Sequence, residues 1–190
     1  KQLQAGPTAR VAAVIDGDTV RLDDGHEVRL VGIQAPKLPL GRAGFKPWPL
    51  AAEAREALSR LVEGQTVTLF YGGQARDRYG RSLAHLVRGD GVWIQGALLT
   101  AGYARVYSFA DNRAIVEPML AIERQVRAAR SGIWGLAYYR VLTPDEVAAA
   151  VGSFQIVEGR VLAAEDARNR SYLNFGADWR TDFTVAIEAA

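Results

Sequence analysis

The side chains whose types could do chemistry come from distant parts of the chain. Asp16 and Asp18 sit in the run Val-Ile-Asp-Gly-Asp-Thr-Val-Arg-Leu at 14–22. Written as one extended strand, Val14, Asp16, Asp18, Val20 and Leu22 share a parity, so both carboxylates fall in the row that faces a core. A buried carboxylate without a partner costs several kcal/mol, on the order of a whole domain's stability margin, so a metal, an arginine or water must meet them. The same Asp-Gly-Asp also reads as a turn, which would reset the register, and the residues alone leave both readings open.

Cations are available further along. Arg29 follows Asp18 by 11 positions, and Arg81 closes the Asp-Arg-Tyr-Gly-Arg segment at 77–81. In an antiparallel barrel the second and third strands lie side by side, and the loop after the fourth reaches the same end, so two carboxylates and two guanidiniums can converge. Arginine donates two parallel hydrogen bonds to a phosphate and keeps its charge at physiological pH. Paired carboxylates suit a hard divalent cation such as calcium or magnesium. Phosphodiester cleavage uses such a set, because charge grows on the phosphate oxygens in the transition state while a base orients water.

The elements that must position these residues follow from periodicity. Residues 10–36 read as three short strands, with Asp23-Asp24-Gly25-His26 as a hairpin connection and His26 a solvated turn residue. The segment 38–48, rich in Pro, Gly and basic residues, reads as a mobile loop able to close over a ligand. Apolar residues at helical spacing predict a helix over 49–63, and further helices over 92–100 and 118–130. Strands are expected over 66–71, 82–87 and 103–107. Together these describe an α+β, mainly β domain over 1–136: a five-stranded barrel of the oligonucleotide-binding type with three packed helices. Residues 137–152 read as a connector, with a capping box at Thr143 to Glu146 that starts a short helix. Residues 153–190 form a β-rich extension with strands over 154–162, 172–175 and 183–187. It either packs on the first domain or is an incomplete second small barrel.

Composition narrows the class. At 190 residues with 49% hydrophobic and 23% charged residues, the chain matches ordinary globular domains rather than disordered or coiled-coil ones. No apolar run approaches the roughly 20 residues of a membrane span. With no cysteine, disulfides, thiolate catalysis and thiolate zinc sites are excluded. A net charge of +2 permits a polyanionic partner without demanding one. The start at Lys1 rather than Met points to a removed leader or an expression boundary, and with it a secreted or periplasmic protein.

Over residues 10–136 the sequence resembles the thermonuclease, or staphylococcal-nuclease-like, family. The resemblance is carried by Val-Ile-Asp-Gly-Asp-Thr at 14–19, Arg-Leu-Val-Gly-Ile at 29–33, Pro36, the helix over 51–62, Asp-Arg-Tyr-Gly-Arg at 77–81 and Gly-Ile-Trp at 132–134. It implies a calcium-dependent phosphodiesterase acting on nucleic acid, with metal ligation by Asp18 and phosphate binding and catalysis by Arg29 and Arg81. Where active members carry Asp-Thr-Pro-Glu, this chain has Gln34-Ala35-Pro36-Lys37. Gln34 leaves a neutral amide oxygen as the second side-chain ligand, beside Asp16 and Asp18. Ala35 still offers its carbonyl. Lys37 stands in place of the glutamate that should orient or deprotonate water, cannot accept a proton and repels a metal.

Three readings follow. The first is a nuclease with a modified arrangement, Asp16 or Glu27 redeployed. The second is a non-catalytic barrel that binds nucleic acid, single-stranded in preference, or a nucleotide phosphate, through Arg29, Arg81 and Lys37. The third is a scaffold that meets a protein partner through its C-terminal strands. Trp48 and Tyr79, on loops beside basic residues, are the candidates for base stacking. Tyr71, Tyr103, Tyr107 and Trp134 read as core.

Overall fold

A strand that must serve two neighbours organises the barrel. β1, Gln4–Asp16, pairs antiparallel through Gln4 to Arg10 with β5, Thr66–Tyr71, and through Val11 to Asp16 with β2, Thr19–Leu22. Its first half carries no apolar alternation and is mostly exposed, which is why the sequence places the strand's start near residue 10. Pro7, which has no N–H to donate, lies where the register shifts between Ala5 and Thr8. β2 pairs antiparallel with β3, Glu27–Leu30. β3 runs parallel to β6, Ser82–Arg88, and β6 returns antiparallel to β5, closing the order β1-β2-β3-β6-β5. This is the five-stranded barrel of an α+β, mainly β fold. The computed structural model describes residues 2–188.

Alternating residues of all five strands fill the barrel: Val11, Val20, Val28, Leu30, Val67, Leu69 and Leu86 are all buried. Three helices pack in the same unit. α1, Ala51–Val62, buries Ala54, Leu58 and Val62 at helical spacing, while α2 is Ile94–Thr100 and α3 is Val116–Ala128. The first two lie inside their expected spans, and α3 starts two residues early. His26 lies exposed in its turn, paired with Asp24 at 3.0 Å.

The third strand does not run on to residue 34 as a single element. Gly32 has φ +83°, and a Cβ there would stand 2.8 Å from Met119 Cε, so the chain turns at a position only glycine fills without strain. β4, Gly32–Gln34, thereby leaves the barrel and pairs with β7, Arg105–Tyr107. Gly132, with φ +57°, lies against Gly102, whose carbonyl oxygen would be 2.2 Å from an added Cβ. Gly132→Ala is expected to destabilise the protein by about 2 kcal/mol, read as a lower urea midpoint, because left-handed strain and the clash act together. Trp134 beside it is half-buried rather than core, with the Arg127 guanidinium 5.2 Å from its ring.

The chain divides into two compact units, Lys1–Gly135 and Leu136–Ala190. In the second, the expected capping box is present, with Thr143 N–H donating to Glu146 Oε2 at 2.8 Å. The turn it starts, Pro144–Ala150, is a 3₁₀ helix with none of its residues buried. β8, Val141–Leu142, runs parallel to β9, Ile156–Val157, so the strand expected over 154–162 contracts to two residues. β10, Ala163–Ala167, β11, Arg170–Asn174, and β12, Thr184–Glu188, make an antiparallel meander. β10 is exposed throughout and has no strand signal in its Ala-Ala-Glu-Asp-Ala sequence; pairing with β11 creates it.

Candidate functional site

Asp16 ends β1, Gly17 and Asp18 form the turn, and Thr19 opens β2 opposite Asp16. Both sequence readings of this stretch are therefore partly realised: the backbone turns, and Val14, Asp16, Asp18, Val20 and Leu22 are all buried. Gly17 permits it, since a Cβ there would lie 2.6 Å from Ala35 Cβ. The Asp18 N–H donates to Asp16 Oδ1 at 3.0 Å, so the turn holds one carboxylate against the other's backbone.

Asp18, fully buried, is surrounded by donors. Lys37 Nζ lies 3.0 Å from its Oδ1 and 2.8 Å from its Oδ2, and 3.9 Å from Asp16 Oδ2. The Ala35 N–H donates to Oδ2 at 2.8 Å, and Arg29 Nη2 is 3.2 Å from the same oxygen. Burial by itself would raise the Asp18 carboxyl; the Arg29 and Lys37 charges, with the Lys37 and Ala35 hydrogen bonds, outweigh it and hold the group below the usual carboxylate range. Asp16 moves the other way. Burial, then the negative charge of Asp18, raises it, and Lys37 only partly compensates.

Arg29 is locked in place. Its Nη1 donates to the carbonyls of Leu30 at 2.6 Å and Asp18 at 3.3 Å, and its Nη2 to Ile33 at 2.7 Å. The fork that the sequence offers to a phosphate is thus engaged inside the protein, and Arg29 bridges β3 to the turn and to β4. Gln34 is engaged too, its Oε1 accepting from Arg105 Nε at 3.1 Å and Nη2 at 2.7 Å.

Arg29 and Arg81 do meet, as linings of one cleft of about 470 Å³. Arg81 is held by Asp77, its Nε and Nη2 each 2.8 Å from Oδ2, which leaves Nη1 without a hydrogen-bond partner among the described residues. Burial tends to raise the Asp77 carboxyl, but the Arg81 hydrogen bond and the Tyr79 and Arg81 N–H groups lower it on balance. Tyr79 lines the cleft, largely exposed, with the Arg78 guanidinium 4.9 Å and that of Arg81 5.6 Å from its ring.

Tyr107 and Phe109 complete this wall, meeting edge to face with centroids 5.0 Å apart. Tyr107 is exposed, so its reading as core is corrected: β7 pairs with β4 outside the barrel and leaves one face open. Phe109 lies two residues past the end of β7, so no strand alternation in the sequence signals its meeting with Tyr107. Trp48 does not line the cleft; its N–H donates to the Lys37 carbonyl at 2.9 Å. The loop before it is tied to itself, with Arg42 donating to the carbonyls of Leu38 at 2.6 Å and Pro39 at 3.0 Å. Glu27 pairs with Arg21 at 3.2 Å on the neighbouring strand and is not part of either cluster.

The calcium that the resemblance implies needs oxygen ligands with free lone pairs. Here Asp18 and Gln34 already accept from cationic side chains, and Lys37 sits between the two carboxylates. Among the described residues no group of three or more His, Cys, Asp or Glu could hold a metal ion. The residues present do not fit a divalent cation.

A small closed barrel with packed helices, carrying a cleft lined by Arg29, Arg81 and aromatic rings, defines the class of fold. The family described as Staphylococcal nuclease homologue matches residues 27–135, and the chain belongs to that family. It is 31% identical over 130 residues to a Thermonuclease of Staphylococcus hyicus, spanning 67% of this chain and 75% of that protein. An uncharacterized Bacillus anthracis protein is 30% identical over 132 residues, 67% of this chain and 60% of its own length. Endonuclease YhcR of Bacillus subtilis is 26% identical over 188 residues, so the match runs into the second unit, covering 94% of this chain but 15% of that protein. Among the described residues no helix is long and apolar enough to cross a membrane.

Proposed function

We propose that the domain binds single-stranded nucleic acid in the Arg29–Arg81 cleft, and that hydrolysis there is weak or absent. The observation that supports it is the meeting in one cleft of Arg29 and Arg81 with the rings of Tyr79, Tyr107 and Phe109. Guanidiniums receive phosphate oxygens, and aromatic rings stack on bases of any sequence. Arg81, with its free Nη1, donates to the phosphate; Arg29 contributes charge and holds the turn. The family's chemistry needs a base, yet the buried carboxylates nearest Arg29 are each bound by Lys37 or a backbone N–H. Loss of general base catalysis costs about 100- to 10,000-fold. Hydrolysis is the second reading, supported by relatives named thermonuclease and endonuclease.

Fluorescence anisotropy with a labelled single-stranded oligonucleotide tests this. Affinity is expected to fall steeply with salt as counterions leave the phosphates, and Arg81→Ala to weaken binding and reduce the slope of log affinity against log salt by about 1. No binding at low salt would sink the proposal. In a parallel incubation, cleavage of DNA and RNA is expected to be slow with calcium or chelator; robust calcium-dependent turnover would favour the second reading.

A further inference from the structure

The buried Asp18 carboxylate, joined to the cleft through Arg29, and Asp16 next to it would repel an anion held in that cleft. Something positive must lie between them. We propose that the Lys37 ammonium is that cation, a tethered ion seated where a divalent metal would otherwise bind, so that this barrel holds phosphate without any metal. The inference deepens the nucleic-acid reading, on which it rests for the identity of the ligand.

Geometry and charge both support the assignment. Lys37 Nζ contacts both oxygens of Asp18, at 3.0 and 2.8 Å, and lies 3.9 Å from Asp16. Asp18 is ringed by further donors: its Oδ2 accepts from the Ala35 N–H and meets Arg29, its Oδ1 accepts from Thr19 Oγ1 at 3.4 Å, while Asp16 Oδ1 accepts from the Asp18 N–H. Gln34 Oε1, the other side-chain oxygen that the resemblance would offer a metal, is held by Arg105. With both aspartates ionised, Asp16 and Asp18 balance Arg29 and Lys37 at a formal charge of zero. A divalent ion added there would leave two uncompensated positive charges in a buried cluster, a strong electrostatic penalty. The backbone of Lys37 is itself anchored, its carbonyl accepting from the Trp48 N–H, which clips the loop that carries it.

The test begins with the free protein. Calcium titrated into metal-free wild type is expected to give no binding heat and no change in melting temperature, and oligonucleotide affinity should agree within about twofold in calcium and in chelator. Lys37→Met, which keeps the stem and removes the charge, is expected to melt lower in chelator, to bind calcium, and to regain stability when calcium is added. Calcium binding by the wild type, or a tenfold or greater gain in its oligonucleotide affinity with calcium, would overturn the proposal. So would a folded Lys37→Met that ignores calcium. If Lys37→Met folds only when calcium is present, that supports the assignment, and the wild-type titration decides whether or not the variant folds. Failure of the wild type to bind oligonucleotide under any condition would overturn the nucleic-acid reading, while the calcium measurements judge the ammonium's role separately.

Discussion

Asp18→Ala is expected to lower stability by about 3–5 kcal/mol, the typical cost of removing one partner from a buried ion pair. Four groups lose a partner at once: the Lys37 ammonium, the Arg29 Nη2, the Ala35 N–H and the Thr19 hydroxyl. The first two are cations in a largely buried cluster, where losing the opposing charge costs more than losing a neutral hydrogen bond. A loss of this size approaches the whole stability of many domains, which is about 5–15 kcal/mol. Urea denaturation followed by tryptophan fluorescence measures it. A double-mutant cycle with Lys37→Met adds a sharper check: with Asp18 gone, removing the ammonium should cost little or help, giving a strongly non-additive pair. An Asp18→Ala loss below about 1 kcal/mol, or simple additivity, would show that Asp18 and Lys37 are not coupled as described. The consequence for function is direct. Lost activity or binding in Asp18→Ala is no sign of a missing metal until the variant is shown to be folded.

The second large effect is a loss of stability in weak acid, set by His85. The ring is buried within β6, and burial lowers its pKa from 6.5 to about 4. Trp93 Nε1 donates to its Nδ1 at 3.3 Å, which gives the neutral ring an acceptor role and places its proton on Nε2. The folded state keeps His85 neutral down to about pH 4, whereas the unfolded chain takes up a proton below about 6.5. Protons therefore favour unfolding in that window. The His85 contribution is fully present above pH 6.5, declines as pH falls towards 4, and is lost below. At about 1.4 kcal/mol per unit of pKa difference, the total comes to roughly 3 kcal/mol. His85→Gln keeps an acceptor for Trp93 without a titrating ring. The measurement is the wild-type minus His85→Gln difference in unfolding free energy across pH 4 to 7, which cancels the carboxylates common to both. A difference independent of pH would show that His85 is not held neutral.

These two effects share a cause with the proposed function. Tight burial places Asp18 where only strong partners can hold it, and the same packing keeps His85 from taking up a proton. In neither case does the sequence show the environment; it shows only the group that will feel it.

Several features are local and could be read from the chain. Val14, Asp16, Asp18, Val20 and Leu22 are all buried as a period of two predicts, but the turn at Gly17–Asp18 breaks the strand and buries Gly17 and Thr19 with them. The α1 stripe of Ala54, Leu58 and Val62 follows from a period of 3.6, and the Thr143–Glu146 capping box from a four-residue pattern. Gln34 and Lys37 stood out as departures because a carboxamide and an ammonium differ in kind from carboxylates. What Lys37 does instead depends on the fold. Its 19-residue separation from Asp18 becomes 2.8 Å only because the Gly17–Asp18 turn and the chain after β4 are brought together at one end of the barrel. The engagement of Arg29 by three carbonyls depends on the turn at Asp18 and the path of the chain into β4, while the capture of Gln34 by Arg105 71 positions away and the move of Tyr107 from core to cleft wall depend on the β4–β7 pairing. The sequence by itself determined which residues carry charge and which face the core, since those are properties of side chains and local periodicity. Tertiary structure alone decided which charges neutralise one another, because that rests on distances between segments that local patterns do not encode.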